Sequence, residues 1–330
     1  MRRPDFFIVG APKCGTSAMA HYLAAHPDIY MARKEMHVFG EDLHFGAKFY
    51  RRDLAAYLRE FASCSGQRRA GEASVWYLFS KSAASEIRAF NPQSSIIVML
   101  REPADMLYSL YHQFRFDGNE HLPSFEEALA ADEDRRAGRR IGRQAYLPQT
   151  LVYRDVVRYA EQLRRYFDVF GRERVCVVLF DEFVSDPAAA ARRTLEFLGV
   201  DATAFGNQCA IINSAKQVKS PALRAVLGDP WLRSAVLTLR PKLPRCVFGA
   251  FQRAESRLQK LNTRVEKPPP LSPETRALLQ HEFAPEVDRL AELLNRDLGH
   301  WTRPDGTRAN PSAHPALSTD EHTCLASSLP

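Results

Sequence analysis

The run Phe6-Phe7-Ile8-Val9-Gly10-Ala11-Pro12-Lys13-Cys14-Gly15-Thr16-Ser17 contains a short apolar strand, a glycine-bounded loop and the start of a helix. The apolar residues suit a strand buried on both faces. Ser17-Ala18-Met19-Ala20-His21-Tyr22-Leu23 continues as a helix that ends before Pro27. Strand, glycine loop and helix N-terminus in that order make an anion site, because unpaired backbone N–H groups and the helix dipole point at one spot. The spacing Gly10-x4-Gly15 matches that of nucleotide phosphate-binding loops, but Thr16 stands where the ATP-binding form needs lysine. The one lysine here is Lys13, inside the loop. The loop is shaped for a phosphate-like group and departs from the Mg-ATP form.

Outward from this stretch, strands and helices alternate. Ser95–Leu100 is a continuous apolar run ending abruptly in Arg101-Glu102-Pro103, and Arg174–Phe180 is another. Both read as buried parallel strands. Gly71-Glu72-Ala73-Ser74 follows a short strand position. Helices are expected at residues 48–62, 82–90 and 104–115, and from Asp186-Pro187 to Gly199, where Asp caps and Pro occupies the first turn. The expected fold is therefore α/β: a P-loop-type fold with a central, mainly parallel sheet flanked by helices. Ligands of such sheets gather at the carboxyl ends of the strands.

Three segments depart from the alternation. Residues 117–148 are polar, with a helix expected over Ser124–Arg136; they form either a lid over the sheet edge or a solvated loop. Residues 215–270 are basic and read as a helical insertion ending in Pro268-Pro269-Pro270, before a helix pair over 273–298. From about 303 the chain turns to Pro, Ser, Thr, Ala and His without periodicity, and a disordered tail is expected over 303–330. One domain is expected over 1–302.

With 45% hydrophobic and 25% charged residues, the composition is that of a globular protein. A net charge of +6 over 330 residues suits anionic ligands and is too mild to argue for nucleic acid, whose recognition motifs are absent. The six cysteines form no CxxC or metal-ligand pattern, so free thiols in a reducing compartment are expected. No run of 18 apolar residues exists, so no integral membrane contact is expected. The first strand begins within a few residues of Met1, leaving no room for a signal peptide, and a cytoplasmic location follows as the expectation.

Two further segments carry chemistry. Arg101 sits at the carboxyl end of a buried strand, and Ser109 lies about two helical turns further on. A planar guanidinium and a hydroxyl suit a second phosphate, although an Arg-Glu pair after a strand also occurs as a surface ion pair. Lys34-Glu35-Met36-His37-Val38-Phe39 places a carboxylate and an imidazole two residues apart, suited to proton abstraction or to an ordinary exposed loop. His21 and His112 read as satisfied structural histidines, and Trp76 and Tyr77 as core residues near a cleft.

Taken in order, these segments resemble the sulfotransferases that use 3′-phosphoadenosine 5′-phosphosulfate (PAPS). Ala11–Ser17 resembles their 5′-phosphosulfate loop, and Arg101-Glu102-Pro103 with Ser109 looks like their 3′-phosphate motif. Lys34–Phe39 is similar to the Lys-Glu-x-His-Phe-Phe segment of the heparan-sulfate branch. Arg158–Leu163, Phe180-Asp181-Glu182-Phe183, Leu271–Arg276 and Leu298-Gly299-His300-Trp301 also match family landmarks. The likeness spans about residues 5–302. It departs at Ala73, which stands near the place of a lysine in the heparan-type enzymes, and in lacking the disulfide-bearing loop of Golgi members. A bacterial-type member without a membrane anchor is implied.

The resemblance implies roles. Lys13 neutralises charge growing on the bridging oxygen. The N–H groups of Cys14, Gly15, Thr16 and Ser17, with the hydroxyls of Thr16 and Ser17, hold the 5′-phosphate. Arg101 and Ser109 hold the 3′-phosphate. Glu35 takes the acceptor proton, with His37 as the alternative base. PAPS is the implied co-substrate, no metal is required, and the acceptor is a small molecule, glycan or lipid. The readings kept beside this one are a P-loop NTPase or kinase, with Asp181 binding magnesium after its strand, and a catalytically silent nucleotide-binding protein of the same fold.

Overall fold

The computed structural model describes residues 2–45, 53–204, 216–218, 263–265 and 268–303. Its centre is a five-stranded sheet built from β1 (Phe6–Gly10), β2 (Ile29–Met31), β3 (Arg69–Ala73), β4 (Ser95–Leu100) and β5 (Val175–Leu179). The order is β2-β3-β1-β4-β5, and every pairing is parallel. Phe6–Val9 and Ile96–Leu100 are wholly inaccessible, which is why both read as uninterrupted apolar runs.

Strand order reverses at β1: the chain leaves it toward β2 and β3, then returns across it to β4 and β5. Right-handed crossovers running in opposite directions put their helices on opposite faces. Accordingly α1 (Thr16–Ala24) packs with α10 (Pro187–Phe197), while α3 (Ala83–Phe90) packs with α8 (Tyr159–Phe170). The loops after β1 and β4 meet at this switch point, where open parallel sheets bind ligands.

Capping sets the helix boundaries. Glu102 accepts from the Ala104 and Asp105 amides at 3.2 and 2.6 Å and opens α4 (Pro103–Asp117). Asp186 caps α10 as expected, accepting from Ala189 N at 2.9 Å. The helix expected from residue 48 instead begins after Asp53, which accepts from Ala56 N at 2.9 Å and starts α2 (Leu54–Arg59). Residues 46–52 lie outside the described residues.

Other expectations are revised. Gly71-Glu72-Ala73 is part of β3 rather than a sequel to it, paired with β1 through Phe6↔Gly71. A Cβ at Gly71 would lie 2.3 Å from the Phe6 ring, so only glycine fits there. The helix pair expected over 273–298 is one helix, α11 (Pro273–Leu294), running through Pro285. Pro285 removes one hydrogen bond, but Leu279, Phe283, Val287 and Leu290 keep a buried stripe continuous on both sides of it. The 215–270 insertion falls almost wholly outside the described residues. Its described parts, β6 (Lys216–Val218) and β7 (Thr263–Val265), pair as antiparallel strands rather than helix, in keeping with the β-branched Val218, Thr263 and Val265. The 304–330 tail also lies outside.

The helix expected over Ser124–Arg136 divides into α5 (Phe125–Ala130) and α6 (Asp132–Arg136). Beneath them Glu120 and Arg135, both with fully buried side chains, form a bidentate pair at 2.7 and 2.8 Å. Tyr153 Oη and the amides of His121 and Leu122 donate the remaining hydrogen bonds to Glu120. This buried pair, its carboxylate fully hydrogen-bonded and Arg135 Nε left without a partner among the described residues, anchors the segment at its base, whereas Arg136–Arg140 on its outer turn are largely exposed. Among the described residues no helix is long and apolar enough to cross a membrane.

Candidate active site

The loop after β1 reaches α1 through Gly15, the helix N-cap, at φ +86°. A side chain there would strain the backbone and press on Phe183 and Phe180 at 3.1–3.2 Å. Glycine brings no capping side chain, so the Thr16 and Ser17 amides stay open to an anion, while Ala18 N is already bonded to Gly15 O at 3.0 Å. Cys14 points into the core, its thiol donating to Pro12 O at 3.3 Å. Burial pushes that thiol up to about 12, so it stays neutral and only its backbone faces the loop. Thr16 is buried and Ser17 half-buried at the start of α1.

Helix α4 supplies the neighbouring wall. Asp105, Ser109, Gln113 and Asp117 recur at four-residue spacing and so form one ridge. At one end Arg101 pairs with Asp105 at 3.6 Å, and its Nη1 donates to Lys13 O at 3.4 Å. The Arg101 guanidinium lies 4.7 Å from the Phe180 ring centroid, which fixes its plane. Further along, Lys13 Nζ donates to Gln113 Oε1 at 3.0 Å, and Gln113 Nε2 to Asp117 at 2.9 Å. Ser109, half-buried, sits between these two contacts on the same ridge.

On the opposite edge, the loop after β2 is tied to β3. Glu35 N donates to Ala73 O at 2.8 Å, and Val75 N donates to Glu35 Oε2 at 3.3 Å. His37 Nε2 is 3.0 Å from Glu35 Oε2, and Lys34 Nζ is 3.5 Å from Glu35 Oε1. Lys34 Nζ also donates to Ser17 Oγ at 2.7 Å, joining this loop to the loop after β1. Burial pushes the Glu35 carboxyl up, but the His37 hydrogen bond and charge, with the Lys34 charge, outweigh it and hold the group below its usual value. Glu35 is therefore a carboxylate at neutral pH, and its side chain is 40% exposed.

Three of these residues share an uncommon backbone. Lys13, Glu35 and His37 have φ of 60°, 61° and 46°, in the left-handed region that residues with a Cβ rarely occupy. Such strain collects where side chains must be aimed for function.

Tyr77, expected in the core near a cleft, and Glu72 and Ser74, for which no role was expected, form the layer beneath. Ser74 Oγ donates to Glu72 Oε2 at 3.1 Å and accepts from His37 N at 3.1 Å; Tyr77 Oη accepts from Val38 N at 2.9 Å. Burial pushes the fully inaccessible Glu72 carboxyl up to about 8, so it is mostly protonated at neutral pH. Trp76 stacks on Phe114 in the core. Gln113 was also overlooked, although helical periodicity from Ser109 would have found it. Lys34 was read only as a neighbour of Glu35. The reading of the histidines is revised: His21 is exposed, and buried His112 Nε2 has no hydrogen-bond partner among the described residues.

Positive charge converges on the open amides. Burial lowers the Lys13 pKa, Asp117 raises it again, and the Arg101 and Lys34 charges add to the lowering. Lys13, Arg101 and Lys34, from different elements, thus lie near enough for their charges to act on one another, with Arg101 on the Lys13 carbonyl and Lys34 on the Ser17 hydroxyl. Asp181, the residue a magnesium site would need, is instead 2.7 Å from His300 Nε2 near the chain's last described residues.

A family model described as "Sulfotransferase family" matches residues 4–204. The sulfotransferase crystal structure from Alicyclobacillus acidocaldarius is similar over 92% of this chain and 100% of that one, with 35% identity and a TM-score of 0.67. Mouse heparan sulfate glucosamine 3-O-sulfotransferase 3B1 is 28% identical over 197 residues, covering 60% of this chain and 46% of that protein. Bovine bifunctional heparan sulfate N-deacetylase/N-sulfotransferase 2 is 28% identical over 210 residues, covering 60% of this chain and 22% of that protein. The chain spans less than half the length of these two curated relatives.

Proposed function

The chain belongs to the sulfotransferase family, and from that premise we propose that it transfers a sulfuryl group from PAPS to a hydroxyl or amine of an acceptor, releasing 3′-phosphoadenosine 5′-phosphate (PAP). The observation that carries this reading is the glycine-capped start of α1 with Arg101 held on the Lys13 carbonyl, Lys34 on the Ser17 hydroxyl and the Glu35 carboxylate on the adjoining edge. PAPS, when bound, supplies the activated sulfuryl group and a phosphate leaving group.

The chain's own residues do the rest. The first-turn amides of α1 and the Ser17 hydroxyl hold the 5′-phosphate. Lys13, kept in place by Gln113, offsets charge growing on the bridging oxygen. Arg101 and Ser109 hold the 3′-phosphate and so select PAPS over nucleotides lacking it. Glu35, ionised and oriented by His37 and Val75 N, takes the proton from the attacking group. Fixed cations do the electrostatic work that magnesium does in ATP-binding loops, and the reading calls for no metal. The NTPase alternative is disfavoured by the lack of a Gly-Lys-Ser/Thr sequence and by the pairing of Asp181 with His300.

For the acceptor, both curated relatives are named for heparan sulfate. A glycan hydroxyl or amine is therefore the first acceptor to test, with lipid and small-molecule hydroxyls beside it. The test is transfer of labelled sulfuryl from PAPS to such a panel. Labelled product with release of PAP is the expected result; turnover of ATP in place of PAPS would overturn the reading.

A further inference from the structure

Two lysines flank the open start of α1, and only Lys13 belongs to the phosphate-binding loop. Lys13 approaches from the β4 side, where Gln113 of α4 holds its ammonium at 3.0 Å. Lys34 approaches from the β2–β3 side, on the loop whose next residue is pinned to Ala73 O. Because β1 lies between β3 and β4, the two ammonium groups address the loop from opposite edges.

The contacts of Lys34 reach beyond Glu35. Its shortest contact is 2.7 Å, to the uncharged Ser17 hydroxyl, while the nearer Glu35 oxygen is 3.5 Å away. An ammonium has three donors. Ser17 and Glu35 account for two, and the third has no partner among the described residues. The side chain is only 27% exposed, so a cation is held in a largely dehydrated place with incomplete compensation. An arriving anion at the start of α1 would complete it.

Resting on the sulfuryl-transfer reading, we propose that Lys34 is a second cation of the transfer site and contacts the non-bridging oxygens of the sulfuryl group from the acceptor side. In-line transfer sets the entering and leaving oxygens on opposite sides of sulfur. The bond from sulfur to the bridging phosphate oxygen breaks, and its electron pair leaves with PAP. The bond from the acceptor oxygen to sulfur forms, and the acceptor proton passes to Glu35. Lys13 serves the leaving oxygen, and Lys34 holds the travelling group beside the base. PAP has no sulfuryl group, so Lys34 separates the two nucleotides where Lys13 and Arg101 do not.

The test is calorimetric titration of PAP and PAPS, without acceptor, into wild type, Lys34→Met and Lys34→Arg. PAPS affinity should fall about tenfold or more in Lys34→Met, the size of a lost charge-assisted contact, while PAP affinity changes less than about twofold. Lys34→Arg should regain most of the PAPS affinity. Retained PAP binding shows that Lys34→Met is folded; should Lys34→Met be unfolded, Lys34→Arg and Lys34→Gln make the same comparison. Parallel changes in both affinities, or none, overturn the assignment of Lys34 alone. A wild type that binds neither nucleotide overturns the sulfuryl-transfer reading and this assignment with it.

Discussion

His37 Nε2 stands 3.0 Å from Glu35 Oε2, so the two candidate bases are one hydrogen-bonded unit rather than rivals. The imidazole is itself fixed, its backbone amide held by Ser74 and its ring stacked 4.6 Å from Phe45. In this unit the carboxylate faces outward and the buried imidazole aims it.

Glu35→Gln should therefore keep PAP affinity within about twofold while transfer falls by about 10²-fold or more. His37→Ala should lose less rate. It should also move the acid limb of the pH–rate profile upward, because removing His37 takes away a partner that lowers the Glu35 pKa. Steady-state kinetics across pH with both variants checks this. Near-normal turnover of Glu35→Gln with a dead His37→Ala would make His37 the base.

PAP should stabilise the protein with EDTA present. At 100 times its dissociation constant, a ligand adds about 2.7 kcal/mol, which for a domain of about 300 residues raises Tm by roughly 4 °C. A thermal-shift titration decides it. No shift with PAP beside a clear one with Mg-ATP would point to an NTPase.

Arg101→Ala should weaken PAP more than adenosine 5′-phosphosulfate, since only PAP carries a 3′-phosphate. The expected difference is on the order of 1.5–3 kcal/mol for a charge-assisted contact. Calorimetry of both ligands measures it. Equal losses would instead mean that Arg101 acts through the Lys13 carbonyl it holds.

Glu72 predicts a pH effect on stability rather than on rate. Its folded pKa, about 8 through burial, lies above the ordinary value of 4.5. Between those values the folded state holds a proton that the unfolded state has released, so stability from this group is complete below about 4.5 and is lost as pH rises toward 8. Tm measured from pH 5 to 8 should fall less steeply in Glu72→Gln than in wild type, and identical slopes would show that Glu72 does not hold the proton.

Much of the fold was legible because burial on both faces writes an unbroken apolar run, as in Phe6–Val9 and Ile96–Leu100; the strand after Arg174 carries such a run too, although it lies at the sheet edge with Cys176 and Val177 only half-buried. Helix starts such as Asp186-Pro187 and Glu102-Pro103 were legible because caps act locally. Strand β3 was obscure because Arg69-Ala70-Gly71-Glu72-Ala73 is neither apolar nor alternating; its glycine answers to the Phe6 ring and its carboxyl to Ser74. At the site, the candidate residues stood in recognisable segments, yet their contacts cross long stretches of chain. Lys13 and Gln113 are 100 residues apart, and Lys34 and Ser17 are 17. Such meetings are made by topology and by three left-handed backbones, which leave no mark on composition or period.

Those three backbones also bear on how the chain is maintained. Glycine or asparagine would adopt the conformations of Lys13, Glu35 and His37 at lower free energy, so each position holds a residue that is locally second-best for folding. Most proteins sit only slightly above the stability they need, and relaxing such sites is an easy route to a more robust chain. A lineage freed from turnover would drift toward that relaxation. With a lysine, a glutamate and a histidine held at an energetic disadvantage in one cleft, replacing any of them by glycine or asparagine should make the chain more stable while removing a group that the proposed chemistry uses.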